Sequence, residues 1–334
     1  MLLPHLSTAF QSRLSPVAVA CSGGLDSISL LHAACTAAQA CGFTPIALHI
    51  DHGLNADSAA WAAQVAATAA HYGAAFASER VTGLSPNMPS LENAARIARH
   101  AALARLCAAH GIQTLLLAHH ANDQAETVLL NLLRGSGLGG VGMPAARTVG
   151  GTTWLRPWLA VPRSEIEAYA AQHGLSWVED PSNTDQTLRR NAVRRTLWPV
   201  VQAVEPRALP SLLRFATLAQ AAGNTETTLA LRCLQPYLHA HNGLDWVAAS
   251  KGLDANAQAA LLRAWLGTLG CKAPSQARLT AMLSQINART GDGLRCSHEH
   301  WAFEYRERVL FAATRSMINT SFPPPRHPLA AQSL

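Results

Sequence analysis

The stretch VAVACSGGLDSISLL, residues 17–31, decides the fold of the first part of the chain. Its first four residues form a short apolar run that predicts a buried strand, and the residues from Leu25 onward have a pattern typical of a helix. Ser22, Gly23 and Gly24 form a turn between the two. Such a turn directs backbone N–H groups and a helix N-terminus to one point, where an anion binds favourably. We therefore predict a phosphate-binding loop here.

The residue types of this loop favour a nucleotide that carries a metal ion. Glycine lets the backbone approach phosphate oxygens, and the hydroxyl groups of Ser22 and Ser27 add donors. Asp26 would repel phosphate unless a cation lay between them, so we predict Mg²⁺ at this carboxylate. The spacing excludes a Walker A loop, since no lysine follows the glycines, and it excludes G-x-G-x-x-G. A turn capped by Asp and Ser, without a ligand, is the structural alternative.

Further apolar runs extend this pattern outward from the loop. They lie at 45–50, 114–118 and, more weakly, 75–81, and alanine-rich segments with helical spacing separate them. Alternating strands and helices predict a doubly wound parallel sheet in an α/β domain, with ligands at the carboxyl ends of the strands. The pattern also predicts a short helix from Arg163.

The second half of the chain has a different pattern. Three prolines, Pro199, Pro206 and Pro210, lie close together and indicate a domain boundary near residue 210. We expect a first domain over 1–210 and a smaller, mostly helical domain over 211–313 that ends in a short sheet of one or two strands. The Pro-rich segment 314–334 is expected to be disordered.

Composition restricts the class of protein. The 334 residues carry a formal net charge of +6, and every basic residue except Lys251 and Lys272 is arginine, which suits binding of phosphate or RNA. A genome that favours Arg and Ala codons would give the same bias. The seven cysteines are scattered without a C-x-x-C, so we expect neither a disulfide framework nor a zinc ribbon. The sequence has no secretory signal or long apolar run, and we expect a cytoplasmic protein without a membrane partner.

Six further motifs follow the loop in order along the chain. They are HIDHGL (49–54), LAHHANDQAET (117–127), GSGLGGVGM (135–143), RPW (156–158), RSEIEAY (163–169) and WVEDPSNTDQTLRRNAVRR (177–195). Together with S-G-G-x-D-S, this series resembles the tRNA(Ile)-lysidine synthetase family of the ATP-pyrophosphatase (PP-loop) superfamily. The resemblance is close over about residues 15–215 and looser to about 312.

The resemblance implies a sheet of the adenine nucleotide alpha hydrolase type, with ATP and Mg²⁺ as cofactors. It implies a ligase that adenylates the wobble cytidine of a tRNA(Ile) with a CAU anticodon, releases pyrophosphate, and lets the ε-amine of L-lysine displace AMP, so that the tRNA decodes AUA. Longer family members carry a further C-terminal domain, so we expect the first two domains to bind the tRNA. The oligomeric state is open, with a homodimer as one option.

Two other functions remain as alternatives. A PP-loop tRNA thiolation enzyme would need a catalytic cysteine or a C-x-x-C ligand near the substrate, and the chain has no C-x-x-C. An RNA-binding protein would need no carboxylate at Asp26, where the loop has one.

The resemblance and the spacing of polar residues assign a set of candidate site residues. They are Asp26, Asp123 and Glu126 for catalysis; Ser22, Gly23, Gly24, Leu25, Asp26, Ser27, His49 and Asp51 for ATP; Arg190, Asn191 and Arg194 for lysine or tRNA; and Asp26 for the metal. Asp123 and Glu126 are three apart on one helix and face the same way. One would position or deprotonate the lysine amine and the other hold a metal, and the sequence does not assign which.

Each of these assignments has a structural alternative. The acidic pair also fits a solvated helix face, and the arginines of R-N-x-x-R, which suit a carboxylate or an RNA phosphate, also fit an exposed basic face. His49 and Asp51 fit local turn hydrogen bonds equally well.

The sequence also departs from the family or leaves roles open at other positions. Asn122 stands where the family usually has the first of two aspartates. His119 and His120 are a poor zinc pair, because adjacent strand residues point to opposite faces. The glycines of 135–142 are expected to form a loop that faces the substrate. Four tryptophans fit the core better than base stacking: Trp154, Trp158, Trp177 and Trp198.

Overall fold

The computed structural model describes residues 2–10, 16–39, 41–53, 58–85, 88, 91–179, 189–288, 293–306 and 309–314. Of the segment 314–334 that was predicted to be disordered, Thr314 ends a strand, and 315–334 lies outside these residues. The chain divides into two compact units, one of Met1–Leu130 with Gly142–Ala216 and one of Asn131–Val141 with Thr217–Leu334.

The first unit contains a six-stranded sheet with helices between its strands. In chain order its elements are β1 (Val17–Ala20), α1 (Leu25–Gln39), β2 (Ile46–Asp51), α2 (Ser58–His71), β3 (Ala75–Arg80), α3 (Leu91–Ala109), β4 (Thr114–Leu116), α4 (Ala121–Leu133), β5 (Ala146–Val149), β6 (Thr152–Leu155) and α5 (Arg163–Gln172). The strand order is β3-β2-β1-β4-β6-β5. All neighbours are parallel except β5 and β6. The predicted doubly wound parallel sheet is confirmed, with an antiparallel edge strand that we did not predict.

The central strand β1 is apolar throughout because both of its faces are buried. Val17 and Val19 belong to a hydrophobic cluster that includes Leu30 and Leu31 of α1. Ala18, between them, belongs to a separate cluster that includes Leu103 of α3. Side chains alternate across a strand, so helices on both faces require a continuous apolar run instead of an alternating pattern.

The strand order places a crevice beside β1. The chain runs from β1 outward to β2 and β3, then returns to the other side of β1 as β4. The connections after β1 and β4 therefore leave in opposite directions, and the carboxyl ends of these two strands border the usual ligand site of such sheets. The S-G-G-x-D-S loop follows β1 and the motif LAHHANDQAET follows β4, so the fold brings the two motifs together.

A helical segment completes the first unit. It comprises α6 (Arg189–Ala192), a π-helical turn over Val193–Leu197 and α7 (Trp198–Val204). A longer helix, α8 (Ala208–Leu234), follows and runs continuously across the boundary predicted at residue 210. The two compact units divide within α8, between Ala216 and Thr217.

The second unit is helical and ends in a sheet. Beyond α8 its elements are β7 (Leu238–His239), β8 (Gly243–Leu244), α9 (Trp246–Ala249), α10 (Ala255–Thr268), α11 (Gln276–Asn287), β9 (Gly293–His298), β10 (Trp301–Arg306) and β11 (Val309–Thr314). The strands form an antiparallel sheet in the order β7-β8-β11-β10-β9. The short terminal sheet is confirmed, but the prediction of one or two strands in the segment 293–313 was wrong, since β9, β10 and β11 lie there, and β7 and β8 also join the sheet.

Three of the four tryptophans expected in the core are buried: Trp154, Trp158 and Trp198. The expectation was wrong for Trp177, which is 36% exposed. All seven cysteines lie in the described part of the chain and are free thiols. None of the described helices combines the length and the apolar character that crossing a bilayer requires.

Candidate active site

The loop after β1 is held by the side chain of Ser27. Its hydroxyl oxygen accepts a hydrogen bond from the N–H of Gly23 at 3.2 Å and donates one to the carbonyl of Gly24 at 2.9 Å. The hydroxyl of Ser22 lies 3.2 Å from the same oxygen. Ser27 therefore organises the loop from the first turn of α1, which explains the fixed spacing in S-G-G-x-D-S.

Gly23 cannot be replaced without strain. Its φ is +95°, in the left-handed region that favours glycine. A Cβ added there would lie 3.1 Å from Cγ2 of Val65, and the Gly23 carbonyl accepts a hydrogen bond from the N–H of Val178 at 2.9 Å. The loop therefore depends on glycine at this position.

The loop opens into a cavity of about 510 Å³ in the first unit. The end of β2, the start of α2, one face of α3 and the residues after β4 complete its lining. Of the residues predicted to bind ATP, Ser22, Gly24, Asp26, Ser27, His49 and Asp51 line this cavity. Leu25 instead packs its side chain in the hydrophobic core.

His49 and Asp51 make the local contacts that were the alternative to ligand binding. Nδ1 of His49 lies 2.8 Å from the carbonyl oxygen of Cys21 and so supports the start of the loop. One carboxylate oxygen of Asp51 accepts a hydrogen bond from the N–H of Gly53 at 2.7 Å, and the other lies 3.5 Å from Nε of Arg80. Both residues border the cavity while they also stabilise its edge.

Asp26 has the properties of a cation ligand. Its Oδ1 is buried, and no described residue donates a hydrogen bond to it. Nε of Arg163 is 3.9 Å from Oδ1, and Nε2 of His120 is 3.7 Å from Oδ2. Burial raises the pKa of Asp26, although His120 and Arg163 act in the opposite direction. A buried carboxylate oxygen without a donor, next to a phosphate loop, fits a bound Mg²⁺.

Four charged side chains of α4, α6 and the π-helical turn form the second part of the site, and we call them the charge cluster: Asp123, Glu126, Arg190 and Arg194. Arg190 places Nη2 2.9 Å from Asp123 and Nε 2.9 Å from Glu126. Arg194 places Nη2 3.2 Å from Asp123 and Nε 2.6 Å from Glu126. Each arginine thus bridges both carboxylates.

The neighbours of Asp123 favour its ionised form. Burial acts to raise the pKa of Asp123, but His120 and Arg190 outweigh burial and hold it below its ordinary value. The backbone N–H of His120 also donates to Asp123, at 3.1 Å. The side chain of Glu126 is only 4% exposed, and both arginines contact it. The expectation that one carboxylate deprotonates lysine and the other holds a metal stays a prediction.

The two histidines after β4 differ in position. Nε2 of His120 lies between Asp26 and Asp123, 3.7 Å and 3.5 Å from their nearest carboxylate oxygens, and so links the loop to the charge cluster. His119 lines the cavity, and burial lowers its pKa to about 3. Among the described residues, no group of three His, Cys, Asp or Glu side chains is arranged to hold a metal.

Asn122 has a structural role. Its side-chain oxygen accepts a hydrogen bond from the backbone N–H of Arg163 at 3.0 Å, at the start of α5. The N-cap residue of α5 is Pro162, whose side chain makes no cap hydrogen bond. Asn122 therefore satisfies a free N–H at this helix end. Asn191, between the two arginines of R-N-x-x-R, is buried.

Residues 135–140 of the glycine-rich loop belong to the second unit. The side-chain nitrogen of Asn131 donates to the carbonyls of Gly140 and Val141, at 2.9 Å and 3.1 Å. Gly139 packs directly on Gly223 of α8, where a Cβ on Gly223 would lie 2.5 Å from Cα of Gly139. The expectation that this loop faces the substrate stays a prediction.

Sequence reasoning missed several polar residues of the site. Arg163 and His120 lie near Asp26, and Arg99 and His100 of α3 line the cavity. Arg99 and His100 stand in the stretch AARIARHAAL, which is part of one of the alanine-rich segments with helical spacing. Two adjacent basic residues within an alanine-rich helix were the signal in the sequence that could have identified them as site residues.

The loop at the carboxyl end of β1, the strand order and the buried Oδ1 of Asp26 define a nucleotide-binding α/β domain of the PP-loop class. Models of two families match: a PP-loop domain over residues 5–201 and a TilS substrate binding domain over 247–310. The chain belongs to the tRNA(Ile)-lysidine synthase family.

Three relatives described by that name illustrate the similarity. The protein from Ralstonia nicotianae is 45% identical over 289 residues, which cover 84% of this chain and 60% of that protein. The one from Burkholderia mallei is 41% identical over 306 residues, 90% of this chain and 62% of that protein. The one from Bordetella bronchiseptica is 41% identical over 276 residues, which cover 81% of this chain and 80% of that protein. The chain therefore spans about three fifths of the length of the first two relatives.

One solved structure extends the comparison of folds. The U34-tRNA thiolase NcsA from Methanococcus maripaludis, solved with its iron–sulfur cluster, has a TM-score of 0.55 and 16% sequence identity over 66% of this chain and 78% of that chain. Similarity at this identity shows a shared fold and nothing finer.

Proposed function

We propose that this chain joins L-lysine to the wobble cytidine of a tRNA(Ile) with a CAU anticodon, with ATP as the source of energy. The observation that carries the proposal is the juxtaposition of the phosphate loop with a zwitterionic charge cluster. His120 connects the two, because its Nε2 lies 3.7 Å from Asp26 and 3.5 Å from Asp123. Family membership supports the same assignment.

The loop residues would bind the triphosphate. The helix N-terminus of α1 and the hydroxyl of Ser22 face the cavity and suit phosphate oxygens. Asp26 would hold Mg²⁺ through its free Oδ1, and bound Mg²⁺ would offset the charge that develops on the phosphates. Ser27 keeps the loop in shape through its bonds to Gly23 and Gly24.

The charge cluster matches free lysine, which carries one carboxylate and two ammonium groups. Arg190 and Arg194 present forked guanidinium groups of the kind that bind a carboxylate in a bidentate manner. Asp123 is held as an anion and suits an ammonium group. When lysine binds, ion pairs within the charge cluster would be replaced by ion pairs between the cluster and lysine. The four charged side chains of the cluster would therefore remain neutralised. A carboxylate with a lowered pKa is a weak base, so we assign Asp123 to binding and orientation of lysine.

The reaction balances in two steps. The O2 atom of cytidine attacks the α-phosphorus of ATP, the bond to the β-phosphate breaks, and pyrophosphate leaves. The ε-ammonium group of lysine gives up a proton to solvent water, and its nitrogen then attacks C2 of the base and releases a second proton to water. The C2–O2 bond breaks, and O2 departs with AMP.

Cys21 argues against sulfur transfer at this site. Among the described residues it is the one cysteine that lines the cavity. Burial raises its pKa to about 11, so the thiol is protonated at neutral pH and a poor nucleophile.

The decisive experiment supplies the full chain with ATP, Mg²⁺, labelled lysine and an unmodified tRNA(Ile) transcript with a CAU anticodon. We expect lysine in the RNA together with equal amounts of AMP and pyrophosphate. A tRNA(Met) transcript with the same anticodon and a reaction without lysine are the controls. Sulfur incorporation from a sulfur donor, or RNA binding without release of AMP, would contradict the proposal.

A further inference from the structure

A second group of arginines lies beside the cavity, and we call it the arginine cluster: Arg96, Arg99, Arg147 and Arg156. Arg99 lines the cavity together with its neighbour His100. The four arginines surround His100, and with burial they lower its pKa to about 4. These residues belong to α3, to the edge strand β5 and to the residue after β6, all in the first unit.

Among the side chains that the structure describes, the arginine cluster has no acidic partner. None of the described carboxylate groups lies within 4.0 Å of a guanidinium nitrogen of the cluster. Arg190 and Arg194, by contrast, each pair with two carboxylates. Positive charge that is partly desolvated and unpaired is unfavourable unless an anion joins it.

The protein holds these charges in place by other contacts. The guanidinium of Arg147 lies over the ring of Trp154, 4.8 Å from its centre, and its Nη2 lies 3.4 Å from Nδ1 of His100. His100 packs edge-on against the same ring at 5.4 Å. Trp154 is fully buried, so it supports Arg147 and is not available to stack on a base.

Arg156 adds a buried donor without a partner. Only 6% of the residue is exposed, and its Nη1 donates to the carbonyl of Pro144 at 2.8 Å. Its Nε is buried and has no hydrogen-bond partner among the described residues, and the same holds for Nε of Arg147. Buried donors of this kind are rare unless a ligand or water serves them. Burial, with Arg147 nearby, lowers the pKa of Arg156 to about 10.

We propose that the arginine cluster binds the phosphate backbone of the RNA strand that carries the target nucleotide. This inference rests on the proposed function and adds to it a site on the PP-loop domain. The loop after β1 has its own donors for the phosphates of ATP. The arginine cluster instead extends from the buried Arg156 through Arg147 to the exposed Arg96, and Arg147 stands on an edge strand. A polymer that enters the cavity from the surface suits such an extended arrangement, whereas a single nucleotide does not.

The test measures RNA binding without catalysis. A labelled anticodon stem-loop is titrated with the full chain in the absence of ATP and lysine, and fluorescence anisotropy gives the Kd at several salt concentrations. We expect Arg99→Gln and Arg147→Gln each to weaken binding about tenfold, the effect of one charge-assisted hydrogen bond. Each should also reduce the slope of log K against log salt by about 0.7, the value for one phosphate contact on a single strand.

Matched variants separate charge from folding. Arg105 lies on the same helix α3, is exposed and pairs with Glu79, so Arg105→Gln should leave the Kd and the salt slope unchanged. Arg147→Lys keeps the charge and should retain the salt slope. Circular dichroism checks the fold of each variant. If Arg147→Gln does not fold, Arg99→Gln decides the question.

Several outcomes would overturn the inference. Equal RNA affinity in wild type and both glutamine variants would remove the arginine cluster from RNA binding. A loss of affinity for ATP, measured separately by calorimetry, with RNA binding unchanged would assign the cluster to the nucleotide. A loss confined to the CAU loop, with none for a loop of scrambled sequence, would indicate base reading instead of backbone contact.

A wild-type chain that binds RNA through these arginines but forms no lysidine would contradict only the proposed function.

Discussion

Arg194 donates its Nε–H to a carboxylate oxygen of Glu126 across 2.6 Å, although 68 residues separate the two in the chain. Arg190 reaches the same carboxylate, at 2.9 Å from its other oxygen. Glu126 is almost fully buried on α4, and both arginines are about a third exposed. The carboxylate therefore depends on the arginines for its stability in the folded state, and the arginines depend on it for their orientation.

Removing the charge of Glu126 should destabilise the fold. Glu126→Gln leaves one buried side chain with fewer acceptors and two guanidinium groups with less counter-charge. We expect a loss of about 1–3 kcal/mol in the free energy of unfolding, measured by urea denaturation. Glu79→Gln is the matched control, because Glu79 pairs with the exposed Arg105 on the surface and should change the urea midpoint little. If both substitutions lowered the urea midpoint by the same amount, the burial of Glu126 would not explain its contribution to stability.

Asp26→Asn should abolish lysidine formation yet increase stability at neutral pH. Burial raises the folded-state pKa of Asp26, so folding disfavours its ionised form above the unfolded pKa. The wild-type chain therefore loses stability as the pH rises from the ordinary pKa of 3.8 through the folded value. The asparagine variant has no such loss, and its advantage in urea midpoint should be present at pH 7 and vanish near pH 3. An advantage that did not change with pH would rule out this explanation.

Arg190→Ala should weaken the binding of lysine. Arg190 bridges both carboxylates of the charge cluster. Alanine therefore removes one of the two guanidinium groups that would bind the lysine carboxylate, and it deprives Asp123 of one ion-pair partner. We expect the apparent affinity for lysine to fall by about tenfold or more in steady-state kinetics. Arg190→Lys, which keeps the charge but not the fork, should recover only part of this loss. Unchanged affinity for both lysine and tRNA would remove Arg190 from the site.

Asn122→Ala should destabilise the start of α5. The substitution removes the acceptor for the backbone N–H of Arg163, and Pro162 offers no replacement. We expect a loss of about 1 kcal/mol in the free energy of unfolding. Asn122→Asp retains an acceptor and adds a negative charge at a helix N-terminus, so it should be as stable as the wild type. The thermal midpoints of the two variants test this, and equal losses in both would contradict a capping role.

Gly223→Ala should destabilise the chain although it lies inside a helix. Alanine is normally more favourable than glycine there by about 1 kcal/mol. At residue 223 the new Cβ would lie 2.5 Å from Cα of Gly139, and backbone cannot move as easily as a side chain. Overpacking of this kind costs about 1–3 kcal/mol. Gly267→Ala on α10, with nothing within 4 Å of the new Cβ, is the control and should be neutral or stabilising. A gain in urea midpoint for both variants would contradict the close contact.

Much of the fold was predictable because its signals are local. The strand at 17–20, the loop and α1 follow from one continuous stretch, and the runs at 45–50, 75–81 and 114–118 each contain a strand of the sheet. The hairpin of β5 and β6 was missed, although Gly150 and Gly151 between them, both with positive φ, are a recognised hairpin signal. In the second unit β7 and β8 were missed because they have only two residues each, too few for a periodic pattern.

The sequence by itself determined the phosphate loop, because glycine conformation, hydroxyl donors and a helix N-terminus act within six consecutive residues. It also determined which residue types stand at the ends of the strands. Only the tertiary structure decided that Asp123 and Glu126 face Arg190 and Arg194, and that Arg147 lies over Trp154 beside His100. Electrostatic pairing depends on distance and burial between segments far apart in the chain, and no local pattern carries that information.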